Sequence, residues 1–118
     1  MGRSQTRGSA GEALAAAYLE LVGWTIEAHN VRLAGVEVDI VASDGRARVL
    51  VEVKLRSRTD YGGAALAVDR AKRERLRRAA LVLVKSDARP VRIDVIAIEP
   101  GADGAIIHHY RNAVTEGS

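Results

Sequence analysis

Residues 35–54, Gly-Val-Glu-Val-Asp-Ile-Val-Ala-Ser-Asp-Gly-Arg-Ala-Arg-Val-Leu-Val-Glu-Val-Lys, constrain the fold of this chain more than any other stretch. They read as two apolar strands joined by a tight turn at Asp44-Gly45. Three charged side chains, Asp39, Glu52 and Lys54, interrupt the apolar runs. A strand that faces a core accepts a charge where the charge has a partner or a use. Alternation puts Glu37, Asp39 and Val41 on one face of the first strand, and Val36, Val38 and Ile40 on the other. On the second strand Leu50, Glu52 and Lys54 share a face, opposite Val49, Val51 and Val53. A two-residue turn, centred on Asp44-Gly45 or on Gly45-Arg46, brings Asp39 and Glu52 to the same face. With the second centring they lie directly opposite, Cβ atoms roughly 5 Å apart. A three-residue turn without a bulge separates them.

The rest of the chain supplies a frame for this hairpin. Its 118 residues, 47% of them hydrophobic, suit one domain with one core of Val, Ile, Leu and Ala, since Phe is absent. Residues 1–8 and 113–118 are expected as flexible tails around a domain at 9–112. A first helix is expected from Ser9, with Ser9 and Glu12 in the spacing of a capping box. Leu14, Ala17, Tyr18, Leu21 and Val22 form its apolar stripe, and Gly23 stops it. Trp24 and Ile26 open a short strand that ends near Asn30. Residues 56–65 read as a loop. A second helix is expected from residue 67 or 68 to about residue 80, with Leu76, Ala79, Ala80 and Leu83 inward. Carried back one turn, that face leans Lys72 and Arg73 toward the sheet and leaves Arg75, Arg77 and Arg78 more outward. Residues 81–84 fit either more helix or a strand. Val91–Ile98 reads as a buried strand and Ile106–Tyr110 as an edge strand. The fold class is α/β: a mixed five-stranded sheet flanked by helices.

Composition narrows the function classes. Without cysteine there is neither a disulfide frame nor a thiolate metal site. No stretch has the length of a membrane span and no apolar leader opens the chain, so a cytoplasmic protein is expected. Between Arg46 and Arg78 stand eleven cations and four acids, a local charge of +7 in a chain of net +3. Such a region suits a polyanion, nucleic acid above all, or is a solvated helix face.

Asp39 and Glu52 on neighbouring strands would give magnesium or manganese its one or two carboxylates. Lys54, two residues past Glu52, projects from the same face and could stabilise developing charge or orient a water. Glu12 could reach in from the first helix. Taken alone, Glu12 is most simply a helix cap. Asp39, Glu52 and Lys54 are then an ion-pair network.

Glu-Val-Lys at 52–54 begins thirteen positions after Asp39, which resembles the PD-(D/E)XK nuclease core in the compact form of archaeal Holliday-junction resolvases. The wider pattern is similar to the YraN family of small bacterial proteins. It comprises Gly11-Glu12-x-x-Ala15-x-x-Tyr18-Leu19, Gly23-Trp24, Asn30-x-Arg32, Gly35-x-Glu37-x-Asp39-Ile40-Val41, Val51-Glu52-Val53-Lys54-x-Arg56, Lys72-x-x-Arg75-Leu76 and Arg92-x-Asp94-Val95-Ile96. Val36 departs from it, standing where the family's Gly-Glu-Ile-Asp has no residue. The resemblance implies a restriction-endonuclease-like core with Asp39 and Glu52 as metal ligands, Lys54 as catalytic lysine and Glu12 as a catalytic acid. Arg56 and Lys72 become phosphate contacts, and Arg75 and Arg78 of the basic helix join them as nucleic-acid contacts. The function expected is metal-dependent phosphodiester hydrolysis of structured or branched DNA, and a homodimer is a plausible way to grip a duplex. The other readings are a non-catalytic nucleic-acid-binding module and a scaffold. Arg92 and Asp94 are expected to pair with each other, and His108 and His109 to be surface residues.

Overall fold

A computed structural model describes residues 5–55, 70–86 and 88–113. Helix α1 spans Gln5–Leu21, and three strands follow: β1 Thr25–Leu33, β2 Val36–Ser43 and β3 Arg48–Leu55. Helix α2 is Arg70–Ser86, and the chain closes with β4 Val91–Gly101 and β5 Gly104–Tyr110. The strands form one five-stranded sheet in sequence order. Pairing is antiparallel except between β3 and β4, which are parallel because α2 carries the chain across between them. The mixed α/β sheet is therefore the architecture expected, and the open stretch 81–84 is helix.

Each face of the sheet carries one helix. Leu76, Ala79 and Leu83 of α2 pack on Val36, Val38, Val41, Leu50, Ile93 and Val95. Ala15, Ala16 and Leu19 of α1, with Trp24, pack on Ile40, Ala42, Val49, Val51, Ile96 and Ile98. Continuous runs of buried residues along β3 and β4 follow from having an apolar layer on both sides.

Two expectations for α1 are corrected. The helix already runs at Gln5, so Ser9 lies inside it and not at its start, where a capping residue stands. Polar residues 5–7 continue the helix beyond the point where its apolar pattern begins. The stripe Leu14, Ala17, Leu21 and Val22 is exposed, and the buried side is Gly11, Ala15, Ala16 and Leu19. Close approach explains the choice of face. A Cβ on Gly11 would stand 2.9 Å from Leu55 Cδ2, so the small residues turn to the sheet.

The hairpin takes the second of the two turn centrings. Pairs run from Ser43 with Arg48 to Ile40 with Val51, and the Asp44 amide donates to the Ala47 carbonyl at 3.2 Å. Gly45 supplies the positive φ of +99° that this two-residue turn needs. Asp44 Oδ1 accepts from the amides of Arg46 and Ala47, each at 2.8 Å, and fixes the turn.

The alternation expected along β2 breaks at Asp39. Val36 and Val38 lie in the α2-side core with Val41, whereas Ile40 lies on the α1 side. Asp39 sits at this change of phase. On β1 the break falls at Asn30, whose φ is +49°, between the pairs His29 with Ile40 and Val31 with Val38. The result is a strand that crosses from one core layer to the other with a carboxylate at the crossing.

Candidate functional site

The β2–β3 ladder stops at Ile40 and Val51, one step short of Asp39 and Glu52. There the Asp39 side chain takes over from the backbone: its Oδ2 accepts from the Val53 amide at 2.8 Å. This bond closes the end of the hairpin and aims Asp39 at β3. Burial raises the Asp39 pKa above the ordinary aspartate value, against the pull of the Val53 amide and of the Lys72 charge. Burial also raises Glu52, and the Asp39 charge adds to it.

Two cations meet Glu52. Lys72 Nζ lies 3.2 Å from Glu52 Oε2, so α2 delivers this lysine to the sheet as its helical spacing predicts. Lys54, two residues along β3, lowers the Glu52 pKa through its charge. Glu52 Oε1 is buried and has no hydrogen-bond partner among the described residues. An ionised oxygen left so is costly.

Glu12 completes the group from α1. Its carboxyl stands near enough to Asp39 and Asn30 to feel both: its pKa is raised first by burial and then by the Asp39 charge, while Asn30 pulls it down. The structure therefore brings Glu12, Asp39, Glu52, Lys54 and Lys72 together from β2, β3 and both helices. Arg75 and Arg78 point outward from α2, near the group in sequence but not part of it. Arg56 lies outside the described residues, as do residues 56–65.

Asn30 and Glu37 join the site without having been assigned a role. Asn30 lowers the Glu12 pKa, and the Glu37 charge raises both Glu12 and Asp39. The signal for Asn30 was its place in the family pattern. For Glu37 it was the two-residue spacing to Asp39.

Among the described residues no set of three or more His, Cys, Asp or Glu side chains stands ready-made in metal-ligating geometry. The donor chemistry nevertheless fits a hard cation. Asp39 and Glu52 offer carboxylate oxygens, one of them orphaned, in a setting where burial is the main cause that raises the pKa of each.

A second polar group lies on the α1 side of the sheet. Asp94 is fully buried. Its oxygens accept from Arg92 Nε at 3.0 Å and from the Asn112 amide at 2.8 Å, and His109 Nε2 lies at 2.8 Å. Tyr18 Oη meets His109 Nδ1 at 2.8 Å, and Arg92 also binds Asp44 Oδ2 at 2.7 Å. Burial alone would raise Asp94, but His109, Arg92 and the Asn112 amide outweigh it and lower its pKa. The Arg92–Asp94 pair is as expected. His109 is not the surface residue expected: its side chain is 9% exposed and set edge-on to Tyr18 and Trp24. Its strand is an edge, yet α1 reaches across to cover it.

A model described as "Uncharacterised protein family UPF0102" matches residues 11–98, from Gly11 to Ile98, and so spans the whole carboxylate group. A UPF0102 protein of Symbiobacterium thermophilum is 43% identical over 106 residues, covering 87% of this chain and 90% of its own. One from Halorhodospira halophila is 42% identical over 112 residues, covering 95% and 89%. One from Geobacter sulfurreducens is 46% identical over 110 residues, covering 90% and 86%.

Proposed function

The chain belongs to the uncharacterised protein family UPF0102, the YraN family, and we propose that it is a metal-dependent endonuclease that hydrolyses phosphodiesters in structured or branched DNA. The observation that carries this reading is a contrast between two acids of one sheet. Asp94 pairs with Val51, and Glu52 with Val95, so the two are one step apart on neighbouring strands. Asp94 has every oxygen bonded and a lowered pKa. Glu52 has an orphaned oxygen and a raised one. The first acid is complete as it stands, whereas the second suits a ligand.

Asp39 and Glu52 would hold magnesium or manganese. Bound there, such a cation would supply polarisation of a phosphoryl oxygen and a lowered pKa of a water. The Val53 amide orients Asp39, so that carboxylate needs little rearrangement to bind. Lys54 places a positive charge beside the reacting phosphate, where charge develops in the transition state. Glu12 accepts a hydrogen bond from the attacking water and aligns it. Lys72, now on Glu52, would be the cation of α2 placed to contact a substrate phosphate. Arg75 and Arg78, on the outer side of α2, hold the flanking backbone as point contacts to phosphate.

Titration calorimetry of magnesium or manganese into the wild type and Asp39→Asn tests the site before any substrate is chosen. The wild type is expected to bind, and Asp39→Asn to lose that heat. Cleavage of branched DNA is expected to vanish in Asp39→Ala and in Glu52→Ala. No divalent binding at millimolar concentration, together with no cleavage of branched or single-stranded DNA, would sink the proposal. Salt-sensitive DNA binding without cleavage would select the second reading, a non-catalytic nucleic-acid-binding module, which the outward Arg75 and Arg78 favour.

A further inference from the structure

The outer side of α1 carries an apolar seam with no cover among the described residues. Ala10, Leu14, Ala17 and Leu21 succeed one another at spacings of four, three and four residues, and all are exposed. That spacing is the seam of a two-helix coiled coil rather than the broader stripe of a core-facing helix. Leu21 is 86% exposed and the adjacent Val22 49%. The core side of the same helix is separately filled by Gly11, Ala15, Ala16 and Leu19. The helix therefore has two apolar sides, and the sheet uses one.

We infer that the occupant of the outer side is a second copy of this chain, packed α1 against α1 in antiparallel sense about a two-fold axis. The order of residue sizes carries this choice. Antiparallel pairing sets Ala10 against the partner's Leu21 and Leu14 against the partner's Ala17, then repeats both contacts by symmetry. Every layer opposes one small and one large side chain, which is how facing helices interdigitate. Parallel pairing would set leucine on leucine and alanine on alanine. A two-fold interface must be complementary to itself, and this face is.

Charge supports the same occupant. Among the described outward side chains of α1 the one charge is Glu20. In the antiparallel pair the two Glu20 side chains lie at opposite ends of the contact. The exposed side of α2 also has apolar residues, Leu81, Val82 and Val84. It carries Arg75, Arg78 and Lys85 against one exposed acid, Glu74, so that side is net positive and repels its own copy. A single pair of helices is a small interface, so a concentration-dependent dimer is expected, on the order of micromolar. This inference rests on α1 alone and does not require the metal site.

Sedimentation velocity over micromolar to sub-millimolar concentration tests it on the full chain. The wild type is expected to rise to the mass of two chains. Leu21→Glu is expected to weaken self-association tenfold or more with an unchanged melting temperature, since so exposed a residue holds little of the monomer together. The chain has no cysteine, which makes oxidative cross-linking selective. Ala10→Cys mixed with Leu21→Cys is expected to form a disulfide dimer, and neither variant alone. Identical positions in the antiparallel pair are eleven residues apart along the axis, about 16 Å, beyond disulfide reach. A wild type that stays monomeric, a dimer untouched by Leu21→Glu, or cross-links between identical positions in place of mixed ones would each overturn the inference.

Discussion

Glu52 works against the fold that holds it. A carboxyl whose folded pKa is raised adds stability below its unfolded pKa, and that stability is lost as pH rises through the folded value. At neutral pH the ionised Glu52 is therefore destabilising. Glu52→Gln is expected to melt higher than the wild type at pH 7, by on the order of 0.5–2 kcal/mol. The gap is expected to close as the pH falls through the carboxylate range, and melts at pH 7 and pH 4 check this. Asp94 has the opposite sign. Its lowered pKa gives stability that is present above the unfolded value near 3.8 and lost as pH falls through the folded one. Asp94→Ala leaves Arg92 and His109 without their shared acceptor and is expected to cost about 3–5 kcal/mol, read from urea melts at neutral pH. These two acids also mark what was legible. Asp39, Glu52, Lys54 and Lys72 could be placed together because strand register and helical spacing are arithmetic on residue numbers. His109 could not, because its burial depends on Tyr18, 91 residues away, and no local pattern encodes that contact.

Among the elements, α2 was legible and α1 was not. In α2 from residue 73 to residue 80 the outer side is Arg and Glu, so Leu76 and Ala79 could face only inward, whereas residues 81–84 are apolar all round and fit helix or strand alike. In α1 both sides are apolar, and the larger residues lie on the outer one. Side-chain size points the wrong way where a helix must come close to a sheet. The distinction is measurable at concentrations where the chain is monomeric. Ala15→Leu, at a fully buried position, is expected to destabilise by about 1–3 kcal/mol through overpacking. Leu21→Ala is expected to stay within about 0.5 kcal/mol of the wild type. The reverse order would mean that the outer stripe is the true core face. The phase change in β2 was equally hidden, since Val36 to Ile40 reads as unbroken alternation. It depends on Asp39 bonding the Val53 amide, and on Asn30 at positive φ across from it. For α2, loss of Arg75 and Arg78 together is expected to reduce the slope of log affinity for DNA against log salt by about 2, roughly one per phosphate contact. An unchanged slope would remove that helix from the nucleic-acid surface.

For the molecule as a whole, the two helices divide the work between the faces of the sheet. One face carries the basic α2, and the other carries α1 with the outer seam assigned above to a second copy. The carboxylate group lies where Glu12 from α1 and Lys72 from α2 both reach it, so its occupancy bears on both layers at once. None of the described helices is long and apolar enough to cross a membrane. A ligand that binds only the folded chain stabilises it by mass action, about 2.7 kcal/mol at a hundred times its dissociation constant. The wild type is therefore expected to melt at progressively higher temperature as magnesium or manganese is added, and to return when the metal is chelated. Glu52→Gln starts from the higher stability argued above and is expected to stay there, because a neutral amide is a poor ligand for a hard cation. The two melting temperatures should then cross as metal rises. A structural ion-pair network predicts no crossing, since metal would move both proteins equally or neither. Scanning calorimetry across a metal titration thus separates an acid kept for a ligand from an acid kept for the fold.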